Sequence, residues 1–231
     1  MTQRTVPGLF VTGTDTGVGK TYVTACIARR LRRDGLRVGV YKPVASGCVW
    51  RDGHLVSDDA LALWDAAGRF GELDAVCPQR FAAPLAPPLA AAAEGRVVDA
   101  DLLRAGLQPW LDCADVVLVE GAGGLMSPVT DVEFVADLAY DFGFPLLVVA
   151  ANALGVINQT LQTLITAAVF REGLDVAGIV LNHPRPAPPD DPSIATNRRE
   201  LERYCVPPIL AQLAWQAEDF EVAVPWQTLA R

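Results

Sequence analysis

Only two of the 19 basic residues in this 231-residue sequence are lysines, Lys20 and Lys42; the other 17 are arginines. Where the two types are interchangeable arginine has been used, so the surviving lysines mark places that need a compact ammonium which a planar guanidinium cannot replace. Lys20 closes the run Gly13-Thr14-Asp15-Thr16-Gly17-Val18-Gly19 and is followed by Thr21. Glycines in such a run let backbone N–H groups converge on an anion with no Cβ in the way. A helix starting at Lys20 would add its unpaired N–H donors and partial positive charge. An ammonium and a hydroxyl at the end of this loop suit the β- and γ-phosphates of a nucleotide and a Mg²⁺ ion. The spacing is not strictly G-x-x-x-x-G-K-[ST]: Gly13 lies one residue early, and Thr14 stands where the first glycine belongs.

The elements around these residues must hold them on one edge. Val6–Gly13 reads as a buried strand and Lys20–Arg33 as a helix with an apolar face of Ala25, Ile27, Ala28 and Leu31, stopped by Gly35. Arg37–Tyr41 is the next strand, which places Lys42 at its end, and Pro43–Val56 reads as a loop. Ser57 is an N-cap for a helix over Asp58–Ala67. A loop and short helix follow over Phe81–Ala93, then a helix over Ala100–Leu111. Val116–Val119 is an apolar strand ending at Glu120, before Gly121-Ala122-Gly123-Gly124. Further helices are expected at Glu133–Phe142, Val156–Arg171 and Ser193–Tyr204, and strands at Pro145–Ala151, Val176–Asn182 and Ile209–Leu213. The Pro-rich stretch His183–Pro192 must be a loop. Continuous apolar strands alternating with helices predict an α/β fold of the P-loop type. Its doubly wound, mostly parallel sheet is flanked by helices on both faces, in a single domain over residues 1–231.

A net charge of −8 and a pI near 4.7 argue against nucleic-acid and membrane partners. Five scattered cysteines without a C-x-x-C pair indicate reduced thiols, and no basic segment with an apolar run opens the chain, so a cytoplasmic protein is expected.

Around Thr16–Thr21 the sequence resembles the P-loop ATPase branch that includes ParA/MinD partitioning switches, cobyrinate amidating enzymes and dethiobiotin synthetases. The switches place a lysine where Asp15 stands, and the amidating enzymes add a glutaminase domain for which 231 residues leave no room. Tyr41-Lys42-Pro43-Val44-Ala45-Ser46-Gly47 then matches the dethiobiotin synthetase motif. Ser57–Leu63, Val119–Gly124, Leu154-Gly155-Val156-Ile157-Asn158 and Asn182 recur in that family's order. The resemblance covers residues 10 to about 182, and more weakly extends to Trp215. A nucleotide switch, or an amidating synthetase without its glutaminase partner, is the competing reading.

The resemblance implies a biotin-biosynthetic ligase that joins CO₂ to the two amines of 7,8-diaminononanoate, with ATP as co-substrate, through a carbamate and its mixed anhydride with phosphate. Lys42 and Lys20 would be catalytic, and Thr21, Glu120 and Asp59 would hold Mg²⁺. Asp58 competes with Asp59, which is favoured because it directly precedes Ala60-Leu61-Ala62-Leu63. Nucleotide contacts are expected from Gly17, Val18, Gly19, Tyr22, Gly121, Ala122, Gly123, His183 and, by its donor and acceptor together, Asn182. A looser match adds Ala214, Trp215, Gln216 and Glu221. Thr16 and Ser46 would contact the amine or carbamate. Gly155, Val156, Ile157 and Asn158 would open a helix whose N–H groups take the substrate's remote carboxylate from a neighbouring subunit, which implies a homodimer. Three positions depart from the family pattern: Gly17 where an acid is frequent, Ala153 where lysine occurs, and His183 where aspartate is common. The last leaves the base preference open.

Overall fold

β1 (Gly8–Gly13) is buried along its whole length, which its unbroken apolar run requires of a strand covered on both faces. It releases the chain into loop 14–19, and α1 (Lys20–Arg33) begins at Lys20 and ends on three arginines that complement the helix dipole. β2 (Val38–Tyr41) follows. The computed structural model describes residues 6–186 and 191–231, so part of the expected His183–Pro192 loop, residues 187–190, lies outside the described residues.

The segment expected as a plain loop, Pro43–Val56, instead carries β3 (Val44–Ala45) and a hairpin of β4 (Val49–Arg51) and β5 (His54–Val56). The hairpin turns on Asp52-Gly53, both at positive φ, a dipeptide whose torsions suit a two-residue turn. α2 (Asp58–Ala66) is capped as expected, Ser57 Oγ accepting from the Ala60 N–H at 3.2 Å. α3 (Leu73–Val76), β6 (Gln79–Arg80), which pairs with β3, and α4 (Pro87–Ala93) complete the crossover. The helix expected over Ala100–Leu111 is two helices, α5 (Ala100–Ala105) and α6 (Gln108–Cys113). The segment carries its own break: Gly106 ends α5, and Pro109, in the first turn of α6, has no N–H to continue the ladder. The buried Tyr41 hydroxyl also donates to the Leu102 and Leu103 carbonyls at 3.2 and 2.9 Å. β7 (Val116–Gly124) runs on through Gly121–Gly124, past the expected strand end at Glu120. α7 (Val135–Phe142) starts two residues late because the Glu133 carbonyl closes the turn at Val129 and Thr130. β8 (Leu146–Ala151), α8 (Val156–Val169), β9 (Val176–Asn182), α9 (Ser193–Tyr204), β10 (Ile209–Leu213) and α10 (Trp226–Leu229) finish the chain.

Six strands form one parallel sheet in the order β10-β9-β8-β1-β7-β2. The chain leaves β1 toward β2 through α1, and leaves β7 in the opposite direction, across β1, to β8 through α7. Right-handed crossovers in opposite directions place α1 and α7 on opposite faces of the sheet. β1 is therefore the point where the winding reverses, and its C-terminal end opens a crevice.

Because Ser57 caps the helix that carries Asp59, Ser57→Ala should lower stability by about 1 kcal/mol. Urea unfolding checks this, and an unchanged midpoint would mean that water replaces the cap.

Candidate active site

Parallel strands bring their C-terminal ends to one edge, and the register fixes which side chains meet there. Tyr41 pairs with Val119 and Val11 with Glu120, so Lys42 comes level with Glu120 beside the first strand's end. Glu120 is fully buried. Its Oε1 accepts from Lys42 Nζ at 2.6 Å and from Thr21 Oγ1 at 2.8 Å. Lys42 Nζ also lies 3.0 Å from Asp59 Oδ2. Asp58, one residue earlier, turns away to Arg51 at 2.6 Å. Three widely separated segments thus meet on one carboxylate.

The charges set each other. Burial pulls the Lys42 ammonium down, but Glu120 and Asp59 beside it outweigh that and raise it above the usual lysine range. Burial works to raise the Asp59 carboxyl, yet the Lys42 charge, with hydrogen bonds from Lys42 and Thr21, holds it below the ordinary aspartate value. Lys20 is lowered, chiefly by burial, with Glu120 opposing and Lys42 adding to the shift. Lys20 Nζ reaches back to the Asp15 carbonyl at 3.1 Å across the loop.

A cleft of about 1480 Å³ covers this edge. Thr16, Gly17, Gly19, Lys20, Thr21 and Tyr22 line its loop side; Lys42, Ser46, Asp59, Glu120, Ala122 and Gly123 line its centre; Asn182, His183, Trp215 and Gln216 line its far end. Gly19 has φ +89°, and a Cβ there would lie 2.1 Å from Asn182 Nδ2, so only glycine fits. The close fit lets Asn182 Nδ2 donate to the Val18 carbonyl at 2.8 Å, leaving Asn182 Oδ1 buried without a partner. One of the two Asn182 N–H donors is thus engaged within the protein, and the other N–H and Oδ1 make no hydrogen bond to the described residues.

Other expected residues stand apart from the cleft. Val18 is buried and gives it only the carbonyl that holds Asn182. Gly121 faces α7, where a Cβ would strike Val135 at 2.7 Å. Gly155, Val156, Ile157 and Asn158 open α8 as expected but do not line the cleft of their own chain. Ala214 and Glu221 border a separate hollow of about 230 Å³ that His183 also touches. The sequence reading missed Ser127, Arg29 and the rim Pro84–Pro87, all of which line the cleft. The rim had a signal, a proline-rich run; Ser127 and Arg29 had none, since only the fold turns them inward.

A divalent cation can be tested against this geometry. Glu120 Oε2 is buried with no hydrogen-bond partner, while Thr21 and Asp59 stand beside the same side chain. Among the described residues no group of three His, Cys, Asp or Glu side chains could hold a metal. Two carboxylates and a hydroxyl are hard oxygen donors of the kind a divalent cation such as Mg²⁺ takes.

An AAA domain family model matches residues 7–218. The chain is 49% identical over 215 residues to the ATP-dependent dethiobiotin synthetase BioD of Rhodopirellula baltica, covering 88% of this chain and 82% of that one. It is 46% identical over 211 residues to that of Anaeromyxobacter dehalogenans, covering 91% of each. Among solved structures, a ParA family ATPase from Chlorobium tepidum aligns with TM-score 0.55 at 16% identity, covering 93% of this chain and 85% of that one. The signal recognition particle receptor FtsY from Elizabethkingia anophelis aligns with TM-score 0.53 at 18% identity, covering 98% of this chain but 65% of the receptor's. These two share the fold.

The raised Lys42 value has a testable sign. Its ion pairs contribute stability in full below the unfolded lysine value of 10.5, and that contribution is lost as pH rises through the higher folded value. Urea midpoints in the parent protein should therefore hold to about pH 10.5 and fall above it, and Lys42→Met should flatten that limb. Parallel limbs in the two proteins would contradict the ion-pair assignment.

Proposed function

Because the chain belongs to the family of ATP-dependent dethiobiotin synthetases, we propose that its cleft closes the ureido ring of dethiobiotin from 7,8-diaminononanoate, CO₂ and ATP, in biotin biosynthesis. The observation that carries the mechanistic reading is Glu120, whose single oxygen gathers Lys42 from the second strand and Thr21 from the phosphate loop.

One substrate amine loses a proton and adds to CO₂, giving a carbamate. A carbamate oxygen then takes the γ-phosphoryl group, and ADP departs. The second amine attacks the carbonyl of this mixed anhydride, phosphate leaves with the C–O bond electrons, and the cyclic urea closes. Loop N–H groups and Lys20 hold the β- and γ-phosphates, which fixes the phosphoryl group in line. Lys42 stabilises the negative charge shared by carbamate and transferring phosphoryl oxygens, a point charge placed before the reaction begins. Thr16 and Ser46 border the centre of the cleft and position the amine and carbamate. Thr21, Asp59 and Glu120 would hold Mg²⁺, whose chemistry is to neutralise phosphate charge. With both carboxylates so engaged, Lys42 keeps its charge for the substrate.

Gly17, Gly19, Tyr22, Ala122, Gly123, Asn182, His183, Trp215 and Gln216 bind the nucleotide in this reading, with Val18, Gly121, Ala214 and Glu221 supporting them from behind. Gly155–Asn158 do not line their own cleft, which fits a homodimer in which each subunit supplies this helix start to its neighbour. Five free cysteines support a cytoplasmic site of action, and residues 1–231 act as one domain.

Incubation with diaminononanoate, bicarbonate and Mg·ATP should yield a product lighter than substrate plus CO₂ by one water, with one ADP per product, read by mass spectrometry. Absence of that product with intact nucleotide binding refutes the proposal. Lys42→Arg should reduce turnover at least ~100-fold with ATP affinity nearly unchanged; near-normal turnover would remove Lys42 from its role.

A further inference from the structure

At the centre of the cleft, two hydroxyls from distant segments converge on one small space. A Cβ on Gly123 would lie 2.2 Å from Ser127 Oγ and 3.6 Å from Thr16 Oγ1, so the glycine leaves open the point that both hydroxyls approach. All three residues line the cleft, together with Lys42, Ser46 and Glu120. The Ser127 side chain has a set polarity. Its Oγ accepts from the Gly124 N–H at 2.9 Å, which uses one lone pair and leaves the other, with the hydroxyl proton, for a ligand. Its backbone is tied on both sides: the Ser127 N–H donates to the Gly124 carbonyl at 3.0 Å, and the Ser127 carbonyl accepts from the Val135 N–H at 2.9 Å. The hydroxyl is therefore in place before any ligand arrives. Charged side chains suit the phosphates and the carbamate better than a neutral pair of hydroxyls does. Such a pair suits an amine, which donates N–H and offers a lone pair, since each hydroxyl can accept the one and donate to the other.

We propose that Ser127 is a further substrate-holding residue: with Thr16 it grips the second amine, the one left free while its neighbour becomes the carbamate, and presents it for ring closure. The inference rests on reading the cleft as the site of dethiobiotin formation. In the closing step the second amine nitrogen bonds to the carbonyl carbon of the mixed anhydride. The C–O bond to phosphate breaks, its electron pair leaves with phosphate, and the proton lost by nitrogen goes to the departing phosphate. An amine free to rotate away from the carbonyl would leave the anhydride open to water, so fixing it serves both rate and coupling. Lys42 and Ser46 attend the carbamate; Ser127 gives the other nitrogen a partner of its own.

The test is a thermodynamic cycle, read by calorimetry on the full chain with Mg²⁺ and a non-hydrolysable ATP analogue present and CO₂ excluded. The ligands are diaminononanoate and its two monoamine analogues, 7-aminononanoate and 8-aminononanoate; the proteins are the parent and Ser127→Ala. The substitution should weaken diaminononanoate roughly 2- to 10-fold. It should weaken the monoamine that keeps the held nitrogen by a similar factor, and leave the other within about 1.5-fold of the parent. A site merely distorted by loss of the Gly124 contact would weaken all three ligands alike. That result overturns the proposal, and so does no weakening of any. Ser127→Cys keeps the size of the side chain but forms weak hydrogen bonds, so it should show the same selective loss and decides the matter if the alanine variant does not fold. A parent that makes dethiobiotin without selective loss in the variants fails this inference alone. If the parent neither binds diaminononanoate nor forms dethiobiotin, the reading of the cleft fails and this inference fails with it.

Discussion

A fully buried carboxylate is the constraint on which the rest of the site depends. Glu120 has no access to water, and a lone anion there would be costly by several kcal/mol. The fold answers with an ammonium and a hydroxyl, and both come from elements that could otherwise drift apart. Lys42 follows β2, Thr21 opens α1, and each binds the same oxygen. Asp59, at the start of α2, closes the set through Lys42. The arrangement is poised rather than saturated, since the second Glu120 oxygen has no partner at all.

Sheet topology is what brings these pieces together. β1 sits between β7 and β8, at the reversal of winding, so the loop after it emerges with a strand end on either side. One flank delivers Glu120, with Lys42 next to it; the other leads through β9 to Asn182 and His183. A one-residue slip between β2 and β7 would turn Lys42 to the opposite face of the sheet from Glu120. Burial of both faces of these strands specifies the register, so the core that stabilises the fold also sets the distances of the site.

What the sequence disclosed was local chemistry. The phosphate loop, the scarce lysines, the Ser57 cap and the alternation of apolar strands with helices could all be read from neighbouring residues. The parts that escaped were decided by distant contacts. Gly106 and Pro109 mark the break inside Ala100–Leu111, but nothing near it says that a tyrosine hydroxyl from another strand will donate to the Leu102 and Leu103 carbonyls. Asn182 looks like a free amide until the fold ties one of its N–H groups to the Val18 carbonyl. The hairpin at Asp52-Gly53 is a different case, because its turn dipeptide is itself legible in the sequence.

The central claim is that the cluster on Glu120 is the place where metal, phosphate and the Lys42 charge converge. A crystal structure of the chain with Mg²⁺, a non-hydrolysable ATP analogue and diaminononanoate tests it directly. The account predicts the metal on Glu120 Oε2 and Lys42 Nζ within about 3 Å of a γ-phosphoryl or substrate oxygen. A Lys42 still clasped by Glu120 and Asp59, with its ammonium more than about 10 Å from the γ-phosphate and so beyond direct action on it, would contradict the account.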